Sequence, residues 1–472
     1  MTLQELAYAI TLALFGGVLS YFVCPTRRDA MNVALFFQAS FWFRAALVAL
    51  NWKLNFFVQK YLSDFSIGLM DQPGGILSLF TGAHVWDVQN VINMKFVLEA
   101  VLNMPAVHIF EDSSVMLNYT NAFIGAASAL AVFAYLRRLF NERIATYGLI
   151  LASIYPAAIN FSFFGLRDII IYFFLLMNVF SFSWLILRRD HRVLNWTIYL
   201  ISFFCCTIMR VTFIVFILVP PGWFILQWLI SQARVVKDLY TRMFAGLVAG
   251  VAILIVTAVG TMAGYFLVVH QVTGADTLVA PTVLFQDYEE DRASRGSNLS
   301  EFATQAGQGT NSIYLPLNVY QKLPFPARVS LQLFAFIEIP LPWQLNAVSR
   351  MLALFDTIFV VSLMYWAMRA HQMFRRAHTG RGPPLPQVLD QYSKKKLRRL
   401  SFALALAFVG AWFGFGVLVS DAGNAFRMRL SVVPFAVFGG SIYAVIAMQW
   451  LEDRLRAAFR ATHAPAQPAP GE

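Results

Sequence analysis

The side chains able to do chemistry in this sequence are guanidiniums and carboxylates set into or beside apolar runs. In YPAAINFSFFGLRDIIIYFF, Arg167 and Asp168 stand together between two hydrophobic stretches. Arg210 interrupts FFCCTIMRVTFIVF, Arg44 interrupts FWFRAAL and Asp356 interrupts ALFDTIF. A charge at the centre of a bilayer costs on the order of 2.5 to 3.5 kcal/mol even on mild insertion scales, so such groups are paired or functional. Asp356 is the expected partner of Arg210 or Arg44. In DAGNAFRMRL, residues 421–430, a short turn would present Arg427 and Arg429 one residue apart. Two guanidiniums so spaced suit neighbouring phosphate oxygens.

Carboxylates lie in two long segments between apolar runs. The first holds Asp64, Asp71 and Asp87. The second holds Arg292 and Arg295, followed by Gly296, Ser297 and Asn298 in the manner of an anion- or hydroxyl-binding turn. Further on, Glu338 sits among apolar residues beside Pro340, Pro342 and Trp343. A carboxylate next to an aromatic ring suits a sugar, whose hydroxyls need acceptors and whose apolar face stacks on rings. Plainer readings stand beside these. Asp168 in a first helical turn complements the helix dipole, and Arg167 can snorkel from a span boundary. An intramembrane Arg–Asp pair can be purely structural.

The elements that must position these groups are transmembrane helices. The 472 residues are 58% hydrophobic and 13% charged, with a mean hydropathy of +0.61. That balance belongs to a polytopic membrane protein. The apolar runs are continuous rather than alternating, which specifies an all-α helical bundle and excludes a β-barrel. Eleven spans are expected, near 5–23, 31–50, 115–136, 145–164, 169–187, 194–209, 211–230, 243–269, 351–368, 401–420 and 431–450. They form one membrane domain, residues 1–451, followed by a cytoplasmic tail from 452 to 472 whose Pro/Ala-rich end, ATHAPAQPAPGE, is expected to be disordered. The first run lacks a basic leader and a small-residue cleavage site, so a retained span is expected. The three cysteines, Cys24, Cys205 and Cys206, give no disulfide pattern.

The net charge of +11 does not indicate nucleic acid, because the cations cluster between spans. Alternate connections carry Arg27 and Arg28; Arg137, Arg138 and Arg143; Arg188, Arg189 and Arg192; Arg234, Lys237 and Arg242; and a basic stretch from 369 to 399. The positive-inside rule makes their side cytoplasmic, with the N-terminus outside and the C-terminus inside. The segments 51–114 and 271–349 then lie outside. HVWDVQNVINMKFVLEAVL in the first reads as an interfacial amphipathic helix.

Phosphate-loop, dinucleotide, zinc-protease, CxxC and nucleophile-elbow motifs are all absent from the sequence. What the arrangement favours is glycosyl transfer from a polyprenyl-phosphate or polyprenyl-diphosphate sugar, the arginines Arg167, Arg210, Arg427 and Arg429 binding phosphate. A carboxylate would take the acceptor's proton while the arginines stabilise charge on the departing phosphate. The candidate carboxylates are Asp64, Asp71, Asp168 and Glu338, with Arg292, Arg295 and Trp343 as substrate contacts.

Three stretches carry a resemblance: YLRRLFNERIATYGLILASIYPAAINFSFFGLRD (135–168), the LPFP and Glu338 region, and GNAFRMRLSVVP (423–434). Over these stretches the sequence resembles bacterial envelope-glycan proteins of the C-type glycosyltransferase and O-antigen polymerase kind. The resemblance implies a location in the bacterial cytoplasmic membrane, a polyprenyl-linked glycan substrate and other glycan-assembly membrane proteins as partners. In C-type transferases a catalytic carboxylate lies in the first large outer loop, a place held here by Asp64, Asp71 or Asp87. The adjacent-acid motif of those transferases is absent and an extra span precedes the loop, which favours the polymerase kind. No metal or other cofactor has sequence support, although the acids are compatible with a divalent ion. The alternative is a secondary transporter or flippase, with Arg210 and Asp356 near the midplane. A non-catalytic assembly protein is a third reading.

Overall fold

The computed structural model describes residues 3–24, 27–54, 114–162, 168–188, 190–209, 213–235, 348–380, 387–418 and 422–463, together with a few isolated positions. Among them every regular element is a helix. In chain order these are α1 (Leu3–Val23), α2 (Arg27–Leu54), α3 (Ser114–Leu139), α4 (Glu142–Ile154), α5 (Pro156–Ser162) and α6 (Asp168–Leu187). There follow α7 (Arg192–Met209), α8 (Phe213–Val235), α9 (Val348–His378), the single turn α10 (Gln387–Asp390), α11 (Lys394–Leu418) and α12 (Ala422–His463). Six of the described helices are long and apolar enough to cross a bilayer, or seven if α4 and α5 are one broken span. The chain is thus a multi-pass membrane protein. The expected span 243–269 and most of the two long connecting segments lie outside the described residues.

Local chemistry accounts for the breaks. Asn141 caps α4 by accepting from the backbone N–H of Ile144 at 3.0 Å, with Glu142 in the first turn. Pro156 ends α4, because proline lacks an N–H and clashes with the preceding turn, and the chain restarts as α5 after a 55° bend. The tight connection between α6 and α7 places His191 at φ 48°, a left-handed conformation rare outside glycine.

Burial ranks the helices. Of their apolar windows, α3, α6 and α12 have 67%, 72% and 83% inside the protein, against 28% for α1 and 33% for α2 and α7. The first three are the centre of the described helices, the others their more exposed rim. Helices α9 and α12 pack closely because a Cβ at Gly439 would stand 3.2 Å from the Cα of Ala367. The seven-residue α5 touches α3, α4, α6, α9 and α12, so it sits at the hub of the bundle.

Contacts gather the basic connections at one end. Arg137, at the end of α3, pairs with Asp29 at the start of α2 at 2.8 Å. Tyr392, between α10 and α11, donates to the Leu139 carbonyl, accepts from Nε of Arg188 at 3.2 Å and packs edge-on against Phe140. Burial pushes its phenol above the ordinary range, opposed by the hydrogen bond and charge of Arg188. Tyr392 therefore ties three connections together. Removing its hydroxyl leaves a helix-terminal carbonyl without its donor, a loss of about 1 kcal/mol. Tyr392→Phe is expected to lower the thermal midpoint in detergent without changing helix content by circular dichroism.

The segment 422–430 corrects an expectation. It is not a turn but the opening of α12, which continues past the expected span to His463. Ala, Phe, Met, Arg and Leu are good or neutral helix formers, and Pro434 comes only after the helix is established. The expected turn is therefore helical from Ala422 on.

Candidate functional site

The site is built around the break at Tyr155–Pro156. Interrupting a helix inside a bilayer exposes backbone groups that no water can satisfy, and they must be met from within the protein. Two charged side chains meet them from different helices. On the α4 side, an NH2-group nitrogen of Arg44, from α2, donates to the Ser153 carbonyl at 2.9 Å. On the α5 side, the Ala157 N–H donates to Oδ1 of Asp356, from α9, at 3.2 Å. The signs match the dipoles, with a cation at the carbonyl end of α4 and an anion at the N–H end of α5.

Asp356 is also half of an ion pair. Its Oδ2 lies 3.1 Å from Nη1 of Arg429 on α12, and the same nitrogen donates to Thr357 Oγ1 at 2.7 Å. The two side chains are 0% and 1% exposed, so the pair is fully desolvated. Asp356 thus pairs with Arg429 rather than with Arg44; Arg210, the other expected partner, lies outside the described residues. Pairing follows from packing: α9 and α12 lie side by side, while α5 takes the remaining carboxylate oxygen.

Arg44 has a different environment. Nε donates to Ser162 Oγ at 3.2 Å, and Nη1 donates to the Ser40 carbonyl at 3.1 Å and Ser40 Oγ at 2.5 Å. Ser162 Oγ in turn donates to the Ala158 carbonyl. Gly125 on α3 makes room, since a Cβ there would stand 2.1 Å from Ser162 Oγ and 3.1 Å from Arg44 Nε.

Between the two charged groups lies a small aromatic layer. Tyr155 stacks on Phe359 of α9 at 5.1 Å and tilts against Tyr172 of α6 at 5.7 Å. The hydroxyls of Tyr155 and Tyr172 and the Oγ of Ser153 are buried without hydrogen-bond partners. Asp168, the first residue of α6, is buried one helical turn from Tyr172.

Of the residues predicted from sequence, Arg429 and Asp168 are thus in or beside this cluster. Arg427 is on α12. Asp64, Asp71, Asp87, Arg167, Arg210, Arg292, Arg295, Glu338 and Trp343 lie outside the described residues. Sequence reasoning missed the ring of serines about Arg44 and the capping of the break by Asp356. The available signal was Pro156 itself, since a proline inside an expected span obliges some other element to supply partners. No group of three or more potential metal ligands occurs among the described residues. No family model, no curated protein and no solved structure matches the chain.

Proposed function

We propose that the protein is a membrane glycosyltransferase or polysaccharide polymerase of the cell envelope. It uses a polyprenyl-phosphate- or diphosphate-linked sugar at the outer face of the bacterial cytoplasmic membrane. One observation supports this reading above the others. The buried charged side chains of the described residues, Glu5, Arg44, Asp168, Asp356 and Arg429, all belong to the half of the bundle away from the basic connections. Arg44, for example, is 17 residues beyond Arg27, about 26 Å along α2 at 1.5 Å per residue. The positive-inside rule puts the basic end in the cytoplasm and this half in the outer leaflet, within an eleven-span topology whose N-terminus is outside.

In the proposed reaction a carboxylate, Asp168 or one of Asp64, Asp71 and Glu338, takes the proton of an acceptor hydroxyl. The hydroxyl oxygen attacks the anomeric carbon, and the bond to the lipid phosphate breaks. Arginines, among them Arg167, Arg210, Arg427 and Arg429, hold the phosphate as charge builds on it. Arg292, Arg295 and Trp343 contact the sugar. The test is reconstitution with a polyprenyl-diphosphate oligosaccharide. Longer glycosidic products are expected from the wild type and none from Arg167→Ala, with both proteins inserting equally. Unchanged product lengths in Arg167→Ala remove that residue from the phosphate site.

The second reading, a transporter or flippase, is favoured by the broken helix α4–α5, because half-helix ends met by charged groups are a common substrate-site architecture in secondary transporters. Movement of the lipid-linked substrate across vesicles without any new glycosidic bond decides for it.

A further inference from the structure

Arg44 and Arg429 are both buried cations, yet their charges are balanced differently. Arg429 has the Asp356 carboxylate at 3.1 Å. Arg44 is 1% exposed, and its partners are all neutral oxygens: Ser40 Oγ and carbonyl, Ser153 carbonyl and Ser162 Oγ. Among the described residues no carboxylate pairs with it. An intramembrane cation without a counter-charge is costly, which makes the position one that an anion would stabilise. A guanidinium has five N–H donors, and four bonds are formed here, so one donor is left.

A second, independent observation points to the same spot. Ser153, whose carbonyl Arg44 holds, has a buried Oγ with no partner. The unpartnered hydroxyl of Tyr172 lies within electrostatic reach of Arg44, and Tyr172 packs against Tyr155, whose hydroxyl is also unpartnered. Each of these three residues is more than nine-tenths buried. Orphaned buried hydroxyls cost about 1 to 3 kcal/mol each; Ser153 and Tyr172 stand by Arg44, and Tyr155, against Tyr172, lies between them and the Asp356–Arg429 pair. A carboxylate offers about four acceptor sites, all in one plane, whereas these donors come from separate helices. A phosphate's oxygens are set tetrahedrally and can accept from several directions at once.

We propose that Arg44, Ser153 and Tyr172, with Tyr155 at their border with the Arg429–Asp356 pair, form an intramembrane subsite for the phosphate of a lipid-linked substrate. It rests on the outer-leaflet reading above and adds a phosphate ligand that no motif indicated. All four residues are buried and Ser162 of α5 is hydrogen-bonded to Arg44, so entry would displace that half-helix about its bend at Pro156. The bend is where such motion meets least resistance, since no continuous helical ladder crosses it.

The test uses the full-length protein in nanodiscs with three probes: a polyprenyl diphosphate, the corresponding unphosphorylated polyprenol and inorganic phosphate. The wild type is expected to bind the diphosphate and not the alcohol. Tyr172→Phe is expected to weaken that binding at least tenfold, as loss of a hydrogen bond to a charged group does, while melting at or above the wild-type temperature because an orphaned hydroxyl has gone. Arg44→Gln is expected to abolish binding. Wild-type affinity in Tyr172→Phe, equal binding of alcohol and diphosphate, or a lowered melting temperature in Tyr172→Phe would each overturn the proposal. Binding of inorganic phosphate alone would overturn the assignment to a lipid. Binding that persists without any glycosidic product sinks the enzymatic reading and spares this one; product formation untouched by both substitutions does the reverse.

Discussion

Asp356→Ala is expected to destabilise the bundle by about 3 to 5 kcal/mol, because it removes the carboxylate that pairs with the buried Arg429. The carboxylate is 0% exposed and bridges α9, α12 and the first N–H groups of α5, so its removal also orphans the Ala157 N–H. A denaturant titration in detergent, followed by tryptophan fluorescence, measures the loss. The double variant Asp356→Leu with Arg429→Met separates stability from function. Replacing both members of a buried pair by apolar groups of similar size is often neutral or stabilising. The double variant is therefore expected to recover most of the stability lost in the single one. If it folds like the wild type and still makes product at the wild-type rate, the pair serves architecture alone. A folded but inactive double variant places the pair in the working machinery.

Gly125→Val is expected to have the second largest effect. The first added carbon alone would stand 2.1 Å from Ser162 Oγ and 3.1 Å from Arg44 Nε, closer than non-bonded atoms allow. Either Ser162 leaves Arg44 or α3 moves away from α5, and overpacking of this kind costs about 1 to 3 kcal/mol. Because α3 is a central helix with 67% of its apolar window buried, backbone retreat on that face would disturb α6 and α2 as well. Thermal unfolding in detergent is expected to show a clear drop. A companion substitution, Gly125→Val with Ser162→Ala, removes the first clash and is expected to return part of the stability. No recovery in the companion would show that the strain falls on the backbone rather than on the serine.

Much of the bundle was legible because membrane helices write their positions in a single, strong pattern. Runs such as DIIIYFFLLMNVFSFSWLIL contain only one charge in twenty residues, and no other element can bury their backbone in lipid. Pro156, within the expected span 145–164, is where that span breaks. Arg44 and Asp356 were legible as costly groups because their neighbours are apolar. Their partners were not. Asp356 lies 73 residues from Arg429 and 199 from Ala157, and nothing local distinguishes those partners from Arg210 or Arg44. The 421–430 stretch misled for a related reason: Gly423 and Asn424 are turn formers, but the residues after them favour helix, and the helix runs from Ala422.

Composition and periodicity alone determined that the chain is an all-helical, multi-pass membrane protein with its cations grouped between apolar runs. Those properties depend on transfer of whole segments from water to lipid, a sum over neighbouring residues that needs no knowledge of contacts. Only the tertiary structure decided which charges neutralise one another and which do not. Arg429 has a carboxylate and Arg44 has serines and a carbonyl because α12 packs on α9 while α2 packs on α3. Helix neighbours in a bundle are chosen by the shapes of facing side chains, among them Gly125, Gly439 and Gly440, and shape complementarity between distant segments is not written in the local order of residues.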